Sequence, residues 1–210
     1  MSDFYDQYRC PFGKEGKIIA NRMNRNHRSM TVWTLKNVQI KKDDNILDVG
    51  CGGGRTLGLL SKKAMEGLVI GIDLSLDMVK YSREINKSLA ISGKVEVVHS
   101  SVEFLSLKND QFNLVTGFEA YFFWPDFEQA IKEIFRVVKP GGWLVIGNEM
   151  IKDGTYELEH ADMIKKTGVK LLSLEEMEQV LRRSGFVDVE IFLKKEFAWN
   201  SIKARKPFST

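Results

Sequence analysis

A chain of 210 residues, 43% hydrophobic and 28% charged with a formal charge of +3, has the make-up of a single globular domain long enough to bury a core. That charge is too small to argue for nucleic acid. No apolar run approaches the roughly 18–20 residues that span a bilayer, and Met1–Cys10 lacks the apolar stretch of a secretion signal, so the cytoplasm is the expected location. Residues 1–12 are polar and aromatic, stop at Pro11 and are expected to be mobile. The spacing of Ile18, Ile19 and Met23 predicts a helix over Gly16–Arg28, in a stretch otherwise dominated by Lys14, Lys17, Arg22, Arg25 and Arg28, a basic face read as solvated. A second short helix around Thr31–Val38 would bury Val32 and Leu35. Residues 1–40 are thus expected to be a helical flap belonging to the same domain as residues 41–210.

The remainder alternates. Asn45–Val49 reads as a strand, Thr56–Met65 as a helix, and Leu68–Ile72 as a strand whose unbroken apolar run fits burial on both faces of a parallel sheet. One helix is predicted over Ser75–Ile91, with Met78, Val79, Ser82, Ile85 and Leu89 on its stripe. Strands follow at Val95–Val98 and Phe112–Thr116. Asp126–Val138 is a helix, stopped by Lys139-Pro140-Gly141-Gly142, and Trp143–Gly147 is the fifth strand. Gly154–Gly168 is polar and reads as a loop with a short helix. Ser173-Leu174-Glu175-Glu176 is a capping box opening a helix that ends at Gly185. Phe186–Phe192 and Glu196–Lys203 have no helix between them and should pair as an antiparallel hairpin. The fold class is therefore α/β, a Rossmann-like doubly wound sheet of seven strands, mostly parallel with an antiparallel last strand. Ligands of such sheets bind beyond the carboxyl ends of the strands, which gathers Gly50–Arg55, Asp73, His99–Val102 and Phe118–Trp124 around one crevice.

The chemistry starts at the glycine turn. Gly50, Gly52 and Gly54 let backbone N–H groups and a helix start approach a ligand. Asp73 ends the second strand, where a carboxylate can accept from both hydroxyls of a ribose; the competing reading is a helix-start charge before Ser75. Together they imply an adenosine-type ligand. A dinucleotide fingerprint would need glycine where Arg55 stands, and a Walker loop would need Gly-Lys-Ser/Thr, which is absent. Cys10 and Cys51, the only cysteines, form no CxxC and have no neighbouring histidine, which argues against a disulfide framework and a zinc site; no metal is expected.

Asp48-Val49-Gly50-Cys51-Gly52-Gly53-Gly54 resembles the D-x-G-x-G-x-G signature of class I S-adenosylmethionine-dependent methyltransferases. Val69-Ile70-Gly71-Ile72-Asp73-Leu74-Ser75 with Met78, Phe112-Asn113-Leu114-Val115 and Phe135-Arg136-Val137-Val138-Lys139-Pro140-Gly141-Gly142 resemble three further motifs of that family, in order. They cover Asp44–Met150 and are most similar to the small-molecule, ubiquinone/menaquinone-type branch. The resemblance implies S-adenosyl-L-methionine as cofactor, with S-adenosyl-L-homocysteine as product. The Gly50–Gly54 backbone, including Cys51 and Gly52, would lie against the methionine part and Asp48 would orient its amino group. Asp73 would hold the ribose, Leu74 and the Val102 N–H would meet the adenine, and Ser101 stands where the family often has aspartate, with Glu103 as a substitute carboxylate. Asn113 replaces a usual aspartate, and Glu119 would lie close to the methyl donor.

The implied activity is in-line methyl transfer to a small-molecule acceptor, which needs alignment above all and a base only if the acceptor carries a proton. The candidate catalytic residues are Glu119, Tyr121, Glu149 and His27, with His160 a further base candidate and His99 read as structural. Of the aromatic run after strand four, Tyr121 and Trp124 are expected at the pocket, Phe122 and Phe123 in the core. No Asn-Pro-Pro-Tyr-like motif follows strand four, so a nucleic-acid base is not the expected acceptor, although the basic tail Lys203-Ala204-Arg205-Lys206 leaves RNA open. Two rivals stand beside this reading: an NAD-type oxidoreductase of similar fold, and a methyltransferase-like protein that binds the cofactor without catalysis. The sequence carries no signal for an oligomeric state.

Overall fold

The computed structural model describes residues 6–209. Helices α1 (Asp6–Arg9), α2 (Gly13–Asn26) and α3 (Arg28–Thr34) precede the sheet. The core runs β1 (Ile46–Val49), α4 (Arg55–Lys63), β2 (Val69–Asp73), α5 (Leu76–Ile85), α6 (Lys87–Ile91), β3 (Val95–His99), β4 (Phe112–Phe118), α7 (Phe127–Val137) and β5 (Val138–Asn148). The chain closes with α8 (Tyr156–Glu159), α9 (Ala161–Thr167), α10 (Leu174–Arg183), β6 (Val187–Lys194) and β7 (Trp199–Arg205). Strand order is β3-β2-β1-β4-β5-β7-β6, and only β7 runs against its neighbours. The seven-stranded Rossmann-like sheet and its reversed last strand are as the sequence led one to expect. No helix among the described residues is long and apolar enough to cross a membrane.

Adjacent residues of β1 feed opposite faces. Ile46 packs with Leu57, Leu60 and Val79 under α4 and α5, while Leu47 packs with Ile131, Ile134 and Leu181 under α7 and α10. Both faces are covered, which is why β1 is buried at every position instead of at alternate ones. The order reverses beside β1, whose neighbours are β2 on one side and β4 on the other, and the chain leaves the two sides in opposite directions. A crevice at the carboxyl ends follows.

The predicted helix over Ser75–Ile91 is two helices. Asn86 is buried and its side-chain amide donates to the Ser82 carbonyl and to the Gly54 carbonyl, both at 2.9 Å, so it ends α5 in order to grip the glycine turn. The Lys139–Gly142 segment lies inside the strand region, not in a connecting turn. The register jumps from Phe112 opposite Val138 to Leu114 opposite Trp143, making an irregular bulge. Asn113 accepts there from the Asn45 N–H and from Lys139 Nζ, each at 3.0 Å, a purely structural post.

The expectation of mobility for residues 1–12 lies partly outside the described residues. Within them, α1 forms, and buried Gln7 accepts from the Phe12 N–H at 2.9 Å. The flap helices straddle the crevice. On one side the Ser75 hydroxyl donates to the Pro11 carbonyl at 2.6 Å, the Gly13 N–H to Asp77 at 2.8 Å, and Lys17 pairs with Glu84 at 3.0 Å. On the other, Thr34 packs against Gly147 of β5 and Trp33 meets Trp199 of β7 at 6.0 Å between ring centres. Ile18, expected on the apolar side of α2, is exposed, and buried Gly16 and Ala20 make the contact instead. The basic tail is neutralised residue by residue: Lys203 by Glu190, Arg205 by Asp188 and Lys206 by Asp110.

Candidate active site

A cleft of about 810 Å³ opens between the carboxyl ends of the strands and the flap. Its floor is the glycine turn, held almost wholly by main chain. The N–H groups of Gly50 and Cys51 both donate to the Ile72 carbonyl at 2.9 Å, and the Gly54 N–H donates to the Cys51 carbonyl at 2.9 Å. Gly54 starts α4 with φ +76°, and a Cβ there would run into Ser82 and Asn86. Gly52, at φ +50°, would point its Cβ into open space: the turn leaves a cradle on the cleft side.

Asp73 is welded to that cradle. Its Oδ2 accepts from the Gly52 N–H and its Oδ1 from the Ser75 N–H, both at 2.8 Å. The helix-start reading is therefore satisfied at one oxygen, yet each oxygen keeps a second acceptor site for a ligand. Burial raises its pKa, against the two N–H groups and the charge of His99. Leu74 is half exposed beside it, and its carbonyl is engaged by His99 Nε2 at 2.9 Å, which accounts for His99 structurally. Ser101 and Val102 line the next stretch of wall, and among the described residues no partner takes the Val102 N–H. Glu103 does not line the cleft, so it is not the substitute carboxylate it was expected to be; its carbonyl accepts from Gln129.

Asp48 is buried at the bottom of the cleft. Thr116 Oγ1 donates to its Oδ1 at 2.7 Å, leaving Oδ2 without a protein partner. Burial, helped by the nearby Asp73 charge and opposed by Thr116, pushes its pKa up to about 7. Cys51 lines the cleft as a neutral thiol, its pKa driven well up by burial and then by the Asp73 and Asp48 charges.

Three of the four candidate catalytic residues meet at the opposite wall: His27 and Glu119 line it, and Glu149 contacts both without lining the cleft. Glu119, directly after β4, sits at φ +52°, an uncommon conformation for a side chain of its size. Its carboxylate accepts the Glu149 N–H in a short hydrogen bond, bridging the ends of β4 and β5. Burial pushes Glu119 up to about 7, against the charge of His27 and the Glu149 N–H. Glu149 Oε2 lies 3.4 Å from Nδ1 of His27, the residue joining α2 to α3. Burial lowers the His27 pKa, but Glu149 and the charge of Glu119 together raise it further.

Tyr121 is a correction. It does not line the cleft: its ring is fully buried against Phe122 and Phe127, and its hydroxyl bonds the carbonyls of Met150 and Leu172 at 3.3 and 3.4 Å. The single 3₁₀ turn over Tyr121–Phe123 rotates Tyr121 inward and brings Phe123, expected in the core, to the cleft beside Trp124. His160 does not line the cleft either; it is stacked on Tyr156 at 4.0 Å.

Residues 47–146 match the family described as a methyltransferase domain. Over that stretch, a little under half of its length, the chain is similar to a methyltransferase domain. Over 178 residues the chain is 25% identical to methyltransferase GfsG of Streptomyces halstedii, covering 74% of this chain and 63% of that protein. Over 113 residues it is 35% identical to a demethylmenaquinone methyltransferase of Listeria welshimeri, covering 53% of this chain and 47% of that protein. The chain thus spans between about half and two thirds of these relatives. In fold it is similar to a chain from the complex of the Haloferax volcanii Trm112 methyltransferase activator with its methyltransferase, at a TM-score of 0.80, 16% identity and 99% coverage of both chains.

Sequence reasoning missed which flap side chain reaches the glycine turn. Asn24 of α2 stands directly over Gly53, where a Cβ would strike its Nδ2, and that Nδ2 is buried without a hydrogen-bond partner. It also missed Asn86 and Thr116, which hold Gly54 and Asp48. Arg28, read as part of a solvated face, lines the cleft. No local pattern marks these polar side chains. Only the helical period placing Asn24 one turn after Ala20 and one turn before His27 hinted at a common face.

Proposed function

We propose that this domain transfers a methyl group from S-adenosylmethionine to a small-molecule acceptor held in the cleft. The observation that carries the reading is the Gly52–Asp73 hydrogen bond. It makes a cleft-facing glycine cradle and a strand-end carboxylate into one rigid unit. The residues present fit that cofactor. Asp73 keeps acceptor sites for the ribose hydroxyls, Asp48 Oδ2 is a free buried acceptor for the amino group, and the Asn24 amide is an unspent donor over the turn. Leu74, Ser101 and Val102 would border the adenine. When bound, S-adenosylmethionine supplies a methyl group already activated on a sulfonium. The chain's task is then to align the acceptor and exclude water, for which Phe123 and Trp124 form an apolar wall and the flap a roof. Aromatic faces there also favour a nearby positive charge.

The acceptor class is part of the proposal, as is work in the cytoplasm, where two unpaired cysteines are in keeping with a reducing environment. Separate calorimetric titrations with S-adenosylhomocysteine and with NAD test the cofactor: binding of the first and not the second is expected, and binding of NAD alone overturns the reading. Incubating the protein and labelled S-adenosylmethionine with a cell extract, followed by mass spectrometry, tests transfer. A labelled small molecule is expected; cofactor binding with no labelled product would favour a non-catalytic binding protein.

A further inference from the structure

We propose that His27 is the general base of this site, that Glu149 is its positioning residue, and that the acceptor is therefore a molecule whose attacking atom carries a proton, a hydroxyl or a protonated amine. The proposal rests on the methyl-transfer reading above and deepens it. The flap delivers His27 to the cleft at the joint between α2 and α3, where Thr31 Oγ1 bonds the His27 carbonyl at 3.0 Å and fixes the joint. Nδ1 is buried and lies 3.4 Å from Glu149 Oε2, an ion-pair contact and not an aligned hydrogen bond. Among the described residues no hydrogen bond engages Nε2 either, and with the Glu149 carboxylate beside Nδ1 it is Nε2 that is left for a ligand.

A carboxylate beside one imidazole nitrogen keeps the proton there and leaves the lone pair on the other. Glu149 can do this because its own backbone is pinned. Its N–H is held by the Glu119 carboxylate, and the strained backbone at Glu119 finds its purpose in that bridge. The groups facing His27 are Glu149 from the end of β5 and Glu119 from the end of β4, with Tyr156 of α8 close to both glutamates, its phenol raised to about 12 first by burial and then by their charges. Two acidic side chains near one histidine hold it ready to carry a positive charge, the state a base reaches after taking a proton.

The proton balance is simple. As the acceptor atom bonds the methyl carbon, the electron pair of the broken carbon–sulfur bond stays on sulfur. His27 Nε2 takes the acceptor's proton, from a hydroxyl during the attack or from a protonated amine before it, which frees the attacking lone pair, and releases it to solvent. A tertiary amine or thioether acceptor would give His27 nothing to do.

Nitrogen-15 NMR of histidine-labelled protein loaded with S-adenosylhomocysteine tests this directly, because the chain has only 3 histidines and His27→Gln assigns the signal. The neutral His27 ring is expected to carry its proton on Nδ1, and its titration midpoint to lie above that of a free histidine. Glu149→Leu should lower the midpoint by on the order of one unit, a tenfold change in proton affinity, and abolish the tautomer preference. Glu119→Gln, which can still accept the Glu149 N–H, should lower the midpoint with the tautomer kept. A neutral ring protonated on Nε2, or a His27 signal indifferent to both variants, overturns the proposal. Calorimetry of S-adenosylhomocysteine on the same variants separates the two readings: undiminished binding alongside an indifferent His27 would sink the base while leaving the methyltransferase reading intact.

Discussion

The two walls of the cleft are built on opposite principles. The proposed cofactor wall is a run of consecutive residues held by backbone, Gly50–Gly54 against Ile72 and Asp73. The proposed acceptor wall is made from single side chains delivered by remote pieces of chain: His27 from the flap, and Glu119 and Trp124 from the segment after β4, with Glu149 after β5 supporting the first two. A backbone cradle suits a ligand that is always the same. Side chains on separate elements can be exchanged one at a time, so the same sheet can serve different acceptors. The difference has an electrostatic counterpart. Each wall holds one buried carboxyl pushed up to about 7, Asp48 on the first and Glu119 on the second.

The strongest way to break the comparison is Gly54→Val. A branched side chain is disfavoured at φ +76° and would collide with Ser82 and Asn86, so we expect a loss of about 2–5 kcal/mol of stability and no measurable S-adenosylhomocysteine binding. Thermal melts and calorimetry check it; parent-like behaviour would show the cradle to be soft.

Next comes Asp48. Its folded carboxyl holds a proton more tightly than an unfolded aspartate with a pKa of 3.8, so it favours the folded form below about pH 4, and that contribution is lost as the pH rises through about 7. The shift of roughly three units sets an upper bound of about 4 kcal/mol. Glu119 acts in the same window and direction. Free protein should therefore melt at lower temperature at pH 8 than at pH 5, and Asp48→Asn should flatten that slope in part. A ligand amino group at Asp48 favours its ionised form, so binding near pH 6.5 should release up to about one proton, measurable by calorimetry in buffers of different ionisation enthalpy. Absence of proton release would remove Asp48 from the amino-group role.

Asp73→Ala should weaken S-adenosylhomocysteine by about 1–3 kcal/mol, the cost of unpaired hydroxyls, and loosen the turn through the lost Gly52 bond. Unchanged affinity would refute the ribose assignment. The smallest effect belongs to Tyr121→Phe. Removing the hydroxyl from the Met150 and Leu172 carbonyls should cost about 0.5–1.5 kcal/mol of stability and leave cofactor affinity alone, as fits a residue packed behind the acceptor wall.

The legibility of the two walls in the sequence follows the same division. The cradle was readable because its parts are close in sequence and each glycine answers a backbone requirement, and Asp73 because a strand end fixes its direction. The Ser75–Ile91 helix was misjudged because its stripe continues past Asn86, while the break there is made by a bond to Gly54, 32 residues away. Tyr121 and Phe123 exchanged places because one tight turn decides which of two neighbouring aromatics faces inward, and composition cannot tell them apart. His27, Glu119 and Glu149 were separately suspected, yet nothing local could say that they meet.

By itself, then, the sequence determined the sheet, its reversed last strand and the glycine turn, because period, glycine placement and strand-end acids are short-range properties of the chain. Tertiary structure alone decided the acceptor side. The reach of the flap over the cleft, the Asn24 amide above Gly53 and the contact of His27 with Glu149 depend on how α2 and α3 are pinned between Ser75 and Gly147, which is a matter of long-range packing.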